Sequence, residues 1–212
     1  MTQEEIVTEL GRRGVVAVVR GSSPQGAVAA GRALAEGGVT AIEVTFTVPR
    51  AAEAIRELAA DERLLVGAGT VLTRRQAHEA VAAGARYLLA PNLAADVTEA
   101  ARELDTVLLP GVMTPTEVAA AMREHRVVKL FPADLGGPGY LKALRGPFPD
   151  LRAIPTGGVT ADNIAAWLGA GALAVGAGGD LCPPASVDAL DAADLRRRAE
   201  RYAEALRAAR AA

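Results

Sequence analysis

The feature that most restricts the fold is an alternation that runs the length of the chain: short apolar stretches separated by Ala-rich amphipathic segments. The apolar stretches cover residues 15–20, 41–46, 64–68, 87–90, 106–109, 127–131, 152–155 and 172–177, which makes eight candidate strands. Helical segments lie between them at 24–36, 50–60, 74–83, 94–103, 115–124, 140–144 and 161–168. Helix starts carry caps at Ser22-Ser23-Pro24, Thr73 and Thr114-Pro115-Thr116-Glu117, and Gly37-Gly38, Gly84 and Gly169 to Gly171 end helices. Strand then helix, eight times over, predicts an α/β fold, the (β/α)8 TIM barrel, as one domain over residues 1–212. A doubly wound open sheet is the alternative. One extra helix, 3–13, precedes the first strand and a last one, 194–209, follows the eighth. Its Arg196-Arg197-Arg198 cluster reads as a solvated face balanced by Asp191, Asp194 and Glu200.

Composition narrows the partners. The 212 residues are 50% hydrophobic, enough for one sizeable core, and 23 basic residues against 25 acidic give a net charge of -2. That balance argues against nucleic acid and against an anionic membrane surface. No apolar run approaches the roughly 20 residues of a membrane span. Cys182, the single cysteine, has no intramolecular partner, and Met1-Thr2-Gln3-Glu4-Glu5 lacks a basic flank and an apolar signal core, so a cytoplasmic chain is expected. With two prolines after it and no histidine in its context, Cys182 reads as a structural thiol.

Only Lys129 and Lys142 break the preference for arginine. Lys142 falls in an amphipathic stretch and reads as solvated. Lys129 lies inside Val127-Val128-Lys129-Leu130-Phe131, a run that reads as a buried strand, where an ammonium is costly. Strand parity sharpens the contrast. In 41–46, Ile42, Val44 and Phe46 share an apolar outer face, which turns Glu43 and Thr45 inward; the same count turns Val127, Lys129 and Phe131 inward. The second and sixth strands of an eight-strand ring stand opposite each other, so amine and carboxylate can meet at the barrel's centre. A buried structural ion pair is one reading of that meeting, weakly stabilising after desolvation. The other is chemistry. An apolar setting favours the neutral amine, which attacks a ketone to form a Schiff base, and a neighbouring carboxylate moves the protons that retro-aldol cleavage needs. The two histidines, His78 and His125, belong to polar helical segments, so no metal or other cofactor is expected.

Glycine-rich turns follow the last two strands, Thr156-Gly157-Gly158-Val159 and Gly176-Ala177-Gly178-Gly179, where this fold often binds phosphate through backbone N–H groups. Gly67-Ala68-Gly69-Thr70 lacks the third glycine of a dinucleotide fingerprint and reads as a tight turn, with Thr70 its one polar group. Trp167 reads as packing.

The chain resembles the class I 2-keto-3-deoxy-6-phosphogluconate (KDPG) and 4-hydroxy-2-oxoglutarate (KHG) aldolases over nearly its whole length. The resemblance runs through Val18-Val19-Arg20-Gly21, Gly37-Gly38-Val39, Ile42-Glu43-Val44-Thr45-Phe46-Thr47-Val48-Pro49, Gly67-Ala68-Gly69-Thr70-Val71, Leu109-Pro110-Gly111-Val112-Met113-Thr114-Pro115-Thr116-Glu117, Val128-Lys129-Leu130-Phe131-Pro132 and Pro155-Thr156-Gly157-Gly158-Val159. It implies a homotrimeric barrel of the Entner-Doudoroff pathway with Lys129 as the Schiff-base lysine and Glu43 as general acid/base. Thr70 and Pro91 would line the pyruvoyl end, Phe131 would pack beside the imine, and Thr156 would face the hydroxylated chain. Gly157, Gly158, Gly178 and Gly179 would hold the phosphate. Two positions depart from the family pattern. Thr47 stands where some members carry an arginine for the substrate carboxylate, which shifts that role to Arg20, and Gly179 stands where many have a serine. Weaker phosphate binding or a non-phosphorylated substrate would follow. Pro91-Asn92 leans toward the related galactonate-type aldolases and Pro155-Thr156-Gly157-Gly158 toward the gluconate type. A phosphosugar isomerase or epimerase on the same barrel, and a trimeric scaffold without turnover, remain alternatives.

Overall fold

The computed structural model describes residues 1–211. Helices start where short polar side chains relieve the unpaired N–H groups of a first turn. Thr2 and Glu5 form a reciprocal capping box at α1 (Gln3–Arg13), and left-handed Gly14 ends that helix. Ser23, Thr73 and Thr114 accept from the third residue of α2 (Pro24–Glu36), α4 (Arg74–Ala82) and α6 (Pro115–Ala121). The others are α3 (Ala51–Ala59), α5 (Ala95–Glu103), α7 (Gly137–Arg145), α8 (Ile164–Gly169), α9 (Pro184–Asp188) and the long α10 (Ala192–Ala211).

The strands are β1 (Val15–Val19), β2 (Ala41–Thr45), β3 (Leu65–Gly69), β4 (Tyr87–Leu89), β5 (Val107–Leu109), β6 (Gly111–Val112), β7 (Val128–Leu130), β8 (Ala153–Pro155) and β9 (Val175–Ala177). All strand pairs are parallel, which the βα alternation requires. They fall into a six-stranded curled sheet ordered β5-β4-β3-β2-β1-β9 and a three-stranded sheet ordered β6-β7-β8. The α/β alternation of parallel strands is as expected, while the hydrogen-bonded pairing joins them in two sheets rather than in one continuous ring. The fifth predicted strand, 106–109, is β5; the chain then passes Pro110, which has no N–H to give a ladder, into β6, a short strand outside the predicted runs, and β5 pairs with β4 while β6 pairs with β7. At the other seam β8 and β9 meet through an isolated Thr156–Gly176 bridge and through Leu173 N–H donating to the Ala153 carbonyl at 2.9 Å. The segment predicted at 140–144 begins earlier, at Gly137, and 161–168 opens with a 3-10 turn, Ala161–Asn163. A second 3-10 turn, Ala133–Leu135, and α9 had no signal in the alternation.

Period-2 side-chain alternation divides the core in two. The larger cluster lies between the outer strand faces and the helices, with Ile42, Val44, Leu130 and Trp167 buried there. The smaller one is an inner floor. It takes Val16, Ala41, Leu65, Tyr87, Val107, Val127, Ile154 and Ala174 from the successive strand regions, and α1 seals it with Ile6, Val7 and Leu10.

Candidate active site

Above that floor, Glu43 on β2 and Lys129 on β7 face each other. Lys129 Nζ lies 3.7 Å from Glu43 Oε1, with the side chains 5% and 1% exposed. Strand parity therefore predicts both orientations correctly. The separation exceeds a hydrogen bond, and neither Glu43 oxygen has a hydrogen-bond partner, so the carboxylate keeps its acceptor capacity for an incoming group. Lys129 Nζ also sits 5.1 Å from the Phe131 ring centre, within cation–π range.

Room for the carboxylate comes from β3. Gly67 and Gly69, two apart, face the same way; a Cβ on Gly69 would collide with Glu43 Oε1, and one on Gly67 would lie 2.5 Å from Cδ2 and Cζ of Tyr87. The tight turn expected at Gly67-Ala68-Gly69-Thr70 is thus strand as far as Gly69, and its glycines hollow the interior. Tyr87 is fully buried and donates to the Ile42 carbonyl at 3.1 Å, bracing the residue before Glu43. Burial, and then the charge of Glu43, hold its phenol well above the ordinary range. Tyr87 was missed in the sequence; glycines at i and i+2 of one strand were the available signal.

Thr70 directly follows β3 with φ of 56°, a left-handed conformation rare outside glycine. Pro91 approaches β6 so closely that a Cβ on Gly111 would collide with its carbonyl. Thr45 donates to the Val19 carbonyl at 3.2 Å and shares a 2.6 Å hydrogen bond with Thr47. Thr156 is buried, its hydroxyl has no partner, and it lies over Gly176, which leaves the space a Cβ would fill.

Gly157 and Gly158 both have positive φ, 105° and 66°, which exposes consecutive backbone groups in a turn. Asn163 fixes this turn by donating to the Gly158 carbonyl at 2.8 Å, and Asp134 packs against both glycines. Gly178 and Gly179 form the second turn; nothing lies within 4 Å of a Cβ on Gly179, while one on Gly178 would meet Arg20 Nη1 at 3.1 Å. Arg20 makes no hydrogen bond or ion pair among the described residues, which leaves its guanidinium free beside this turn. Cys182 is buried beneath it, and burial pushes its thiol up to about 12 against the pull of Arg20 and Arg198, so it is an inert thiol at neutral pH.

The remaining sequence candidates lie elsewhere. Lys142 is exposed and Trp167 is buried. His125 shares a 3.3 Å hydrogen bond with Thr98 beside a 500 Å³ surface groove that also contains Leu93 and Arg102. Among the described residues no cluster of three or more His, Cys, Asp or Glu could hold a metal ion, and no helix is long and apolar enough to cross a membrane.

Parallel strands whose C-terminal ends enclose an amine, an open carboxylate and glycine-lined turns define an α/β enzyme for small carbonyl compounds. Residues 6–198 match the KDPG and KHG aldolase family, and the chain belongs to that family. It is 41% identical over 179 residues, 81% of each chain, to a 2-dehydro-3-deoxy-phosphogluconate aldolase of Pseudomonas aeruginosa. It is 33% identical to the 2-dehydro-3-deoxy-6-phosphogalactonate aldolase of Escherichia coli, over 79% of this chain and 83% of that one. A KDPG aldolase from Legionella pneumophila, with pyruvate captured as a covalent carbinolamine, superposes with a TM-score of 0.85 at 28% identity, covering 94% and 97% of the two chains.

Proposed function

We propose that this aldolase cleaves 2-keto-3-deoxy-6-phosphogluconate to pyruvate and glyceraldehyde 3-phosphate through an imine on Lys129, and that it also cleaves 4-hydroxy-2-oxoglutarate. The carrying observation is the buried Lys129–Glu43 pair, 3.7 Å apart with both carboxylate oxygens unpartnered. The neutral amine adds to the C2 ketone to give a carbinolamine, and a proton taken up from solvent lets its hydroxyl leave as water, so that the imine carries that proton's charge until hydrolysis gives it back. Glu43 takes the proton of the C4 hydroxyl as the C3–C4 bond breaks; the bonding pair moves onto the imine to give an enamine, and the aldehyde leaves. That proton returns from Glu43 to C3, and water releases pyruvate and the free lysine.

Around that step, Thr70 and Pro91 line the pyruvoyl end, Phe131 packs beside the imine, and Thr156 offers its free hydroxyl to the hydroxylated chain. Gly157, Gly158, Gly178 and Gly179 bind the phosphate through N–H groups. Arg20 binds a substrate anion: its position, with Nη1 3.1 Å from where a Cβ on Gly178 would lie, supports the phosphate, while the loss of the family's carboxylate arginine at Thr47 supports the carboxylate. The 2-dehydro-3-deoxy-6-phosphogalactonate relative keeps the epimeric substrate as a second reading.

The two sheets are proposed to act as one closed (β/α)8 barrel, supported by the shared floor and by the hydrogen bonds across both seams. Exposed Leu72 and Leu135, both just beyond strand C-termini, suit coverage by neighbouring subunits in a homotrimer. One buried thiol without a disulfide partner suits the reducing cytoplasm.

The decisive experiment is pyruvate with borohydride followed by peptide mapping. One reduced pyruvyl group on Lys129 is expected; an adduct on Lys142 alone, or none, refutes the mechanism. Lys129→Arg should fold yet lose turnover, because guanidinium stays protonated.

A further inference from the structure

Arg196 and Arg197 lie on the solvated face that the sequence predicts for α10, paired with Glu200 and Asp194. Arg198 and Tyr202, one helical turn apart, turn inward instead. Arg198 Nη1 donates to the Asp180 carbonyl at 2.7 Å. The buried Tyr202 hydroxyl lies 2.8 Å from Asp180 Oδ2 and 3.0 Å from the Val159 carbonyl. Val159 directly follows Gly157-Gly158, and Asp180 directly follows Gly178-Gly179. A phenol has one proton and both neighbours accept, so the proton is shared between two turns that belong to different strands. Among the described residues no other side chain hydrogen-bonds both segments.

We propose that Tyr202 is a positioning residue for the substrate's phosphate: from beneath, it holds the two glycine turns at the spacing where their N–H groups converge on one anion. The inference rests on the reading of those turns as the phosphate site. Glycine turns are soft, because each glycine has many accessible conformations to lose. Gly179 contributes no side chain that could reach across, and the Thr156–Gly176 bridge joins the two segments only at their base, so the spacing of the glycine tips depends on groups outside them. Tyr202 never touches substrate, and its effect falls on one end of it.

The test is steady-state kinetics on 2-keto-3-deoxy-6-phosphogluconate and on 4-hydroxy-2-oxoglutarate, which has no phosphate, together with inhibition by inorganic phosphate. Tyr202→Phe keeps the ring and removes the hydroxyl. It should raise the KM for the phosphorylated substrate and the inhibition constant of phosphate by about five- to tenfold, the scale of one lost hydrogen bond. Both kcat values and the KM for 4-hydroxy-2-oxoglutarate should stay within about twofold of the parent, well below the effect of one hydrogen bond. Asp180→Ala should reproduce the selective loss, which keeps the test open should Tyr202→Phe misfold, and Asp180→Asn, which retains an acceptor, should restore binding. An equal rise for both substrates, or no rise for either, overturns the inference. Gly179→Asp separates the layers. If that added carboxylate weakens the phosphorylated substrate while Tyr202→Phe does not, the phosphate site stands and Tyr202 has no part in it; if Gly179→Asp is also silent, both fall.

Discussion

Gly69→Ala tests whether the position of the carboxylate governs proton transfer. A Cβ built on Gly69 lies 2.5 Å from Glu43 Cδ and 2.6 Å from Cγ, and closer still to Oε1, whereas ordinary contact begins near 3.4 Å. Gly69 cannot retreat, because it is in register with Thr45 and the two residues before it, Gly67 and Ala68, are paired on both sides. Glu43 must therefore withdraw by about 1 Å from where it faces Lys129, into the space that substrate would occupy. A displacement of that size at a reacting group costs about 100-fold in rate, and overpacking costs about 1–3 kcal/mol of stability. Deuterium exchange at the methyl group of pyruvate reads the proton step, borohydride trapping reads imine formation, and thermal unfolding reads the fold. The expected pattern is a folded protein, destabilised, that still traps pyruvate but exchanges about 100-fold more slowly, in line with the displacement. A folded Gly69→Ala protein with parental exchange refutes the argument, since Glu43 could then not be the group that moves the proton.

Three further outcomes are expected. Glu43→Gln should form the imine slowly and lose roughly 100-fold or more in cleavage and exchange, as for a deleted proton shuttle; parental exchange would assign the proton to another group. Arg20→Lys replaces a bidentate fork by a point charge: a KM raised only for the phosphorylated substrate places Arg20 at the phosphate, a rise for both substrates places it at the carboxylate, and no change removes it from the site. Glu9 is held down at about 2, from 4.5, first by the Arg12 hydrogen bond and then by Arg13. Its stabilising effect is full above pH 4.5 and lost as pH falls toward 2, so Glu9→Gln should cost about 0.5 kcal/mol at pH 7 and progressively less in acid. Urea unfolding at pH 7 and pH 3 checks this, and a gap that does not narrow refutes it.

The reactive pair was legible because a strand's two-residue period fixes which way a side chain points without knowledge of its neighbours. Lys129 and Glu43 needed only that rule and the opposition of the second and sixth strands. Their surroundings needed more. Gly67 and Gly69 make sense only once Tyr87 and Glu43 are known to lie over them, and that depends on the β2–β3–β4 register, which no single strand encodes. Arg198 looked like its two neighbours in an arginine cluster; the rotation of α10 against the last loops decides which of the three turns inward. The fold was readable at the level of alternation, but β6, just past Pro110, lies beyond the predicted fifth strand, 106–109, and two residues are too few to show a period. Asp180 and Tyr202, 22 positions apart, gave no local signal.

The floor beneath the site carries a cost in the order of assembly. Ile6, Val7 and Leu10 leave the ribosome ahead of the rest of the floor, and some of the residues they finally pack with, Ile154 and Ala174, are made about 150 positions later. Until those last strands arrive, the nascent chain presents a greasy helix with nowhere to dock. Contacts of such long sequence separation slow folding and prolong the exposure of sticky intermediates. The same closure makes the finished domain cooperative: the eleven residues of α1 cannot peel away without uncovering the inner ends of strands from the whole length of the chain, so a fragment lacking α1 should collapse and aggregate rather than persist as a smaller enzyme.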